Sequence, residues 1–217
     1  MSFERYSPVI AAFDPGAYEI GIESGMRTAL RAKHASSKPN ILADLSALRR
    51  RLFVGRSVAS WLSAQGLDCT PGLLEVVELE GGAVLARVHG DQYLLIDGFT
   101  PGPAASLFEL DEGRHGEILV LPYEVAEFAC GGPDVGALMA ELCPAPFDSA
   151  PATLWNATRL GHCEVVIRRA EHPLHYRITC SVADARFLFG VLGEVSRARD
   201  GAVIGLDDYR EWLARER

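Results

Sequence analysis

The sequence predicts an α+β fold made of two similar half-units, each a helix packed on an antiparallel sheet. A C-terminal helix and an irregular N-terminal arm complete it. Three observations carry this expectation. Alternating apolar runs outnumber helical stretches. A glycine, helix, strand, turn, strand order occurs twice. The chain closes on a charged amphipathic stretch, "GLDDYREWLARER". The expected boundaries are an arm over 1–39, half-units at about 40–98 and 117–205, and a terminal helix over 206–217.

The elements follow from local chemistry. Pro8, Pro15, Gly16, Gly21, Gly25 and the polar run "KHASSKPN" break up residues 1–39, so an irregular arm is expected there. "ILADLSALRRRLFVG" carries two short strand-like runs. "RSVASWLSAQG" reads as a helix with Ser57 as N-cap and Gly66 as stop, and Val58, Trp61, Leu62 and Gln65 share one face. "LLEVVELE", "AVLARV" and "QYLLIDG" read as strands separated by Gly81-Gly82 and by His89-Gly90-Asp91. Residues 99–116 are rich in turn formers and read as a connector with a short helical piece near Ala104 to Leu110.

"EILVLPYEVAEFACGG" then gives strands and "PDVGALMAELC" a helix with Pro133 near its first turn. "LWNATRLG", "CEVVIRRA" and "LHYRITC" are strands. "SVADARFLFGVLGEVSRA" is a longer helix capped by Ser181, with Phe187, Leu188, Val191 and Leu192 as its apolar face. The terminal helix has Asp207 and Asp208 in its first turn and Arg215 and Arg217 in its last, as the helix dipole prefers. "GRSVASWLSAQ" aligns with "GPDVGALMAEL" from Gly55 onto Gly132. "AVLARVHGDQYLLI" aligns with "EVVIRRAEHPLHYRI", placing Tyr93 over Tyr176 and Leu95 over Arg177 or its neighbour.

Composition narrows the function classes. The 217 residues are 48% hydrophobic and 23% charged, a globular balance that supports a sizeable core. With 29 acidic against 21 basic residues the net charge is −8, which argues against a nucleic-acid footprint. The short clusters Arg49-Arg50-Arg51 and Arg168-Arg169 read as solvated surface or contacts to an acidic partner. Cys69, Cys130, Cys143, Cys163 and Cys180 form no CxxC pair and are odd in number. No apolar run approaches the roughly 20 residues of a membrane span, and the first residues carry no signal-like core. A reduced, cytoplasmic protein with mostly buried thiols is expected.

Candidate chemistry is sparse. "GRSVA" is similar to a nucleophile elbow with alanine for its last glycine, but capping accounts for Ser57. His162, Cys163, His172, His175 and Cys180 cluster in sequence without the tight paired ligands of a zinc site. His172 and His175 point to opposite faces in extended chain, while Cys163 and Cys180 can meet across a hairpin. "GFTPGP" and "CGGPDVG" match neither the dinucleotide fingerprint nor the P-loop. The amides near Pro133 offer an anion site, though turn geometry explains the glycines equally well. Asp44 and Asp97 at strand ends read as turn and capping groups or as acids and bases. Trp61, Trp155 and Trp212 read as packing residues. No catalytic or metal residue is assigned, and the cofactor-binding residues are unknown.

In order and spacing, "ADLSALRRRLFVGRSVASWLSAQGL", "GGAVLARVHGDQYLLIDG", "GGPDVGALMAELCP", "HYRITCSVADARFLFGVLGEV" and "GAVIGLDDYREWL" resemble the glycine-cleavage aminomethyltransferase superfamily. They especially resemble the γ subunits of heterotetrameric sarcosine oxidase, over roughly Asn40 to Leu213. The superfamily's folate-using transferases place an aspartate in the hairpin just after the glycine pair, where it meets the pterin and the aminomethyl group. Here Ala83-Val84-Leu85-Ala86-Arg87 follows Gly81-Gly82, and apolar side chains accept no proton. The Lys-Gly-Cys-x-x-Gly-Gln-Glu string of the iron–sulfur-maintenance branch does not occur either. The γ subunits also lack the aspartate.

The resemblance implies a non-catalytic γ-type subunit docked on the α, β and δ subunits of an oxidase. There FAD, FMN, NAD and tetrahydrofolate are bound by the partner chains, with no nucleic acid or membrane involved. Such a complex converts sarcosine to glycine with formaldehyde or methylene-tetrahydrofolate and hydrogen peroxide. The alternatives are a subunit of a related N-methylglutamate or dimethylglycine dehydrogenase, an independent scaffold protein, and a stand-alone folate-binding protein using Asp44. In the hairpin, Val84, Ala86 and Val88 are expected to bury one face, leaving Arg87 and the His89-Gly90-Asp91 turn near solvent or a partner.

Overall fold

The computed structural model describes residues 4–34, 36–67, 70–143 and 151–215. The α+β class holds, but the arm is not irregular. Strands β1 (Arg5–Tyr6), β2 (Tyr18–Glu23) and β3 (Met26–Ala32) make a sheet in the order β1-β3-β2. Ser24 and Gly25, at φ 48° and 77°, turn the β2–β3 hairpin. Two positive φ values in succession match strand twist, so Gly25 punctuates a hairpin where the sequence suggested an irregular arm.

The chain continues through β4 (Asn40–Asp44), β5 (Arg50–Val54), α1 (Val58–Ala64), β6 (Val76–Glu78), β7 (Val84–His89) and β8 (Gln92–Ile96). A 3-10 segment, Pro103–Glu109, sits where the short helical piece was expected, followed by β9 (Gly113–His115) and β10 (Ile118–Pro122). Next come β11 (Ala126–Gly131), α2 (Val135–Leu142), β12 (Asn156–Leu160), β13 (Cys163–Glu171) and β14 (Leu174–Cys180). Helix α3 (Ala185–Ala198), β15 (Gly201–Ile204) and α4 (Leu206–Arg215) close the described chain. Strands β9 and β15 are too short to show a period in sequence. Arg217, assigned to the last helical turn, lies outside the described residues, as do Cys69 and residues 144–150.

Two six-stranded sheets share one architecture. Their orders are β6-β7-β8-β5-β10-β9 and β12-β13-β14-β11-β4-β15. Tyr93 pairs with Phe53, two residues before Gly55, and Tyr176 pairs with Cys130, two residues before Gly132. The repeat therefore superposes Tyr93 on Tyr176, and Leu95 on Ile178, the neighbour of Arg177. Each repeat, however, gives its leading strand away. Strand β4 heads the first repeat yet lies between β11 and β15, and β10 heads the second yet lies between β5 and β9. The compact units are accordingly Met1–Ala47, Val125–Ala152 and Asn156–Arg217 in one, and Leu48–Glu124 with Thr153–Trp155 in the other. Residues 40–98, expected as one half-unit, divide after Ala47.

The exchange dictates the glycines that open both helices. A Cβ on Gly55 would stand 2.7 Å from the Glu117 carbonyl oxygen, at the head of β10. A Cβ on Gly132 would stand 2.4 Å from the Pro39 carbonyl oxygen, at the head of β4. Val58 and Val135 each donate 3.2 Å to the carbonyl of their glycine. The N-cap residues do the same job. Ser57 sits at φ −95°, ψ 9°, outside the extended conformation that lets an N-cap side chain reach its own helix. Its hydroxyl instead donates to Glu117 Oε2 at 2.6 Å. Asp134, the equivalent cap, takes the Asn40 amide at 3.1 Å, and its own N–H donates to Asn40 Oδ1 at 3.0 Å.

Each unit has its own core. In the first, Phe128, Cys130, Ile167 and Ile178 pack with Leu138, Leu188, Phe189 and Leu192 of the helices. Phe187, expected on the apolar face of α3, is 56% exposed, and Phe189 takes its place beside Ala185, Leu188 and Leu192. The helical period starts at Ala185, and Asp184 occupies the N-cap; Ser181 accepts from the Ala183 N–H at 3.1 Å one turn earlier. In the second unit, Phe53, Val58, Leu62, Leu85, Leu95 and Val120 form the cluster, with Trp61 partly buried against it. Leu67 N–H reaches back 3.0 Å to the Leu62 carbonyl and ends α1 at Gly66. Among the described residues no helix is long and apolar enough to cross a membrane.

Gly55→Ala and Gly132→Ala should each lower stability by roughly 2–4 kcal/mol, because backbone must move in both cases. Urea midpoints measure this. Two midpoints unchanged from the parent would show that the heads of β4 and β10 can shift freely.

Candidate functional site

The paired hairpins β7–β8 and β13–β14 carry the residues on which a chemical reading turns. In β7–β8 both faces are apolar. Leu85 and Leu95 face the helix side, and Val84, Ala86, Leu94 and Ile96 the other; all are at most 2% exposed. Val88 was expected to continue the buried face, but a register shift between Arg87 and His89 leaves it half-buried. Arg87 folds back so that Nε and Nη2 donate 3.1 and 2.7 Å to the Gly90 carbonyl, with the guanidinium 5.5 Å from the Tyr93 ring centroid.

The glycines framing this hairpin are there for backbone packing. The Gly81 carbonyl accepts from Phe99 N–H at 3.0 Å and Thr100 N–H at 3.2 Å. A Cβ on Gly98 would lie 2.3 Å from that same oxygen. Asp97, at the end of β8, takes Arg49 Nε at 2.7 Å and Gly98 N–H at 2.9 Å. It is the turn group that its position suggested.

The polar residues lie in the other hairpin's unit. Arg168 and Arg177 are cross-strand partners, and Glu127 pairs with Thr179 on the same face. Arg177 Nε donates to Glu127 Oε1 at 2.5 Å, with the side chains only 3% and 1% exposed. The Glu127 N–H donates 3.2 Å to Ser46 Oγ. The repeat puts Ala86 and Leu94 where this unit has Arg168 and Arg177, and buried Arg50 where it has Glu127. The basic clusters are thus not wholly solvated surface. Period-2 alternation turns Arg50 and Arg168 inward, while Arg49, Arg51 and Arg169 pair with Asp97, Glu112 and Glu171. Charges inside the apolar strands "AEFACG" and "CEVVIRRAE" were the available signal for this buried set.

Asp44 is buried at the end of β4 and fully engaged. One oxygen accepts from the Ser7 hydroxyl and, at 3.4 Å, from Thr28; the other accepts the Ser46 N–H at 3.0 Å. It ties the N-terminal sheet to β4. The Asp134 and Val135 amides at the start of α2 already bond Asn40 and Gly132, so turn geometry accounts for that glycine run. Trp61 packs 5.5 Å from Phe53, Trp155 is 7% exposed, and Trp212 stacks on Tyr209.

Among the described residues the histidines and cysteines do not gather into one cluster, although Cys163 and Cys180 do meet across their hairpin. His162 is exposed in a turn at φ 73°, and His172 is exposed beside a cis bond to Pro173. His175 is buried, its Nδ1 is 2.8 Å from the Pro173 carbonyl oxygen, and its ring lies edge-on to Tyr209 and Trp212. Cys163 and Cys180 share the opposite sheet face as free thiols, diagonal across β13–β14. Burial pushes the Cys130 thiol up to about 12. Burial, then the neighbouring Cys163 and Asp184, pushes Cys180 up to about 12. Among the described residues no group of three or more His, Cys, Asp or Glu could hold a metal ion.

Two outcomes check this geometry. Glu127→Ala should cost roughly 3–5 kcal/mol by removing the buried carboxylate that Arg177 Nε donates to, and Glu127→Leu with Arg177→Met should recover most of it. Urea denaturation reads both. Iodoacetamide at pH 8 should leave Cys130 and Cys180 unmodified in the native chain. The Cys130 contribution is complete below pH 9.0, the ordinary thiol value, and is lost as pH rises toward about 12. The slope there is about 1.4 kcal/mol per pH unit, and the Cys130→Ala variant should lack it.

No protein-family model and no curated protein matches the chain in sequence. Solved structures do match in fold. Glycine cleavage system aminomethyltransferase T from Bartonella henselae aligns with a TM-score of 0.65 at 16% identity, covering 94% of this chain and 60% of that one. The chain thus spans 60% of the transferase's length. A chain of the heterotetrameric sarcosine oxidase from Corynebacterium sp. U-96, solved in complex with pyrrole 2-carboxylate, aligns with a TM-score of 0.59 at 16% identity. That alignment covers 77% of this chain and 89% of the oxidase chain. The α+β fold with its duplicated sheets is the fold that these two proteins share with this chain.

Proposed function

We propose that the chain is a non-catalytic γ-type subunit of a sarcosine oxidase-type heterotetramer. The observation that carries this reading is the match over 89% of a chain from such an oxidase. It is supported by what fills the hairpin. An acid–base or amine-holding role needs a carboxylate within reach of substrate, and Leu85 and Ala86 stand where the resemblance would place one. Asp44, the one substitute offered for a stand-alone folate enzyme, is taken up by Ser7, Thr28 and Ser46.

On this reading the chain's work is assembly. FAD, FMN and NAD belong to the α, β and δ partners, which demethylate sarcosine to glycine. The one-carbon unit leaves as formaldehyde or as methylene-tetrahydrofolate, and dioxygen leaves as hydrogen peroxide. The free, buried thiols at Cys130, Cys143, Cys163 and Cys180 suit a reducing cytoplasm.

Tagged full-length chain, co-expressed with the genes beside its own, should bring down yellow, flavin-containing polypeptides. The isolated chain should show no tetrahydrofolate binding by calorimetry. Recovery of the chain alone from the co-expression would overturn the subunit reading.

A further inference from the structure

Helix α3 carries a glycine in its interior that its own chain does not call for. Gly190 is exposed, and a Cβ there would meet nothing within 4 Å. Glycine in mid-helix is destabilising relative to alanine, so Gly190 is a cost without a return inside the molecule. A second cost lies beside it. Phe187, three residues earlier on the same face, is 56% exposed, and Val191 is half-buried next to it.

The charges on this helix have a symmetry of their own. Arg186, Gly190 and Glu194 are spaced four apart and make one ridge of the exposed face. Arg186 and Glu194 are both exposed, and neither pairs with another charge among the described residues. Charges on neighbouring elements are engaged elsewhere: Arg159 lies 3.7 Å from Glu164, and Arg199 lies 2.9 Å from Glu141. From the N-cap to the last turn, Asp184, Arg186, Glu194 and Arg197 alternate in sign, with Gly190 midway between the inner two. Set against itself in the reverse direction, this order opposes unlike charges; in the same direction it opposes like ones.

We propose that α3 pairs antiparallel with α3 of a second copy of the chain, on a two-fold axis at Gly190. Arg186 of each copy then lies opposite Glu194 of the other, the reciprocal contact that a two-fold interface requires. The missing side chain at Gly190 lets the two helices approach closely, and Phe187 and Val191 bury apolar surface beside the crossing. One helix crossing is a small interface, so the dimer is weak and depends on concentration. This pairing does not rest on the subunit reading.

Sedimentation equilibrium of the full-length wild type should show a reversible monomer–dimer equilibrium. Arg186→Glu and Glu194→Arg, each alone, oppose like charges and should weaken the dimer roughly tenfold or more. The two together restore unlike pairs and should return the dimer to within about threefold of wild type. Gly190→Gln should abolish the dimer while its urea midpoint equals or exceeds that of wild type, because a better helix former enters open space. Wild type that stays monomeric at every concentration overturns the proposal, as does a double variant no tighter than the single ones. A dimer that none of these variants weakens lies on another surface and overturns it too. A lower urea midpoint for Gly190→Gln would show that the glycine serves the chain's own packing and would overturn the crossing at that residue.

Discussion

The exchange of β4 and β10 is the constraint on which the other features depend. Strands β5 and β11 are internal to their sheets, and each obtains one of its neighbours from the strand that heads the other repeat. Without that strand, a row of buried backbone N–H and carbonyl groups would lose its partners, a cost comparable to losing each hydrogen bond outright. The exchanged strand also comes so close to the strand-to-helix turn that glycine is required at 55 and 132. The residue two positions on, Ser57 or Asp134, spends its side chain on the strand's head instead of on the helix. A helix with its cap diverted gives up roughly 1 kcal/mol. Both helices make the same concession, so anchoring β4 and β10 is the stronger demand.

Once the strands are fixed, their faces are free to diverge. Equivalent positions hold Ala86 and Leu94 in one hairpin and Arg168 and Arg177 in the other. The apolar hairpin packs by burial, at about 1.5–3 kcal/mol for each large side chain. The charged one depends on a matched pair, Glu127 with Arg177, which defines its partner closely and contributes less net stability than its short distance suggests. The scaffold accommodates either solution because both keep the same strand pairing, with the in–out alternation and the turns setting the register.

Local patterns were legible in the sequence and long-range ones were not. The glycine-to-helix entries, the two hairpins, the α3 and α4 helices and the alignment of Tyr93 with Tyr176 all rest on spacing within a few dozen residues. The destination of β4 was invisible, since Asn40–Asp44 reads equally well as a neighbour of β5 as of β11. Short strands such as β9 and β15 have too few residues to show alternation. The N-terminal hairpin was masked because its turn glycine sits among prolines and polar residues that also mark irregular chain. Arg50 and Arg168 were misread because adjacent arginines look like solvated surface, although alternation turns one of each cluster inward. The same ambiguity hid Phe189 behind Phe187 until the start of α3 was known.

These constraints bear on why an apolar hairpin and an intact fold coexist here. Leu85 lies in the cluster with Leu95, Phe53 and Val120, and Ala86 faces Leu94 on the other side at zero exposure. A carboxylate at either position would be buried among apolar groups, with a desolvation cost of several kcal/mol unless new partners came with it. The apolar residues are thus integrated into the packing, and an aspartate placed there would require rebuilt surroundings. Here both faces of the hairpin are closed by apolar packing, so these positions serve the strand pairing and the core of their unit.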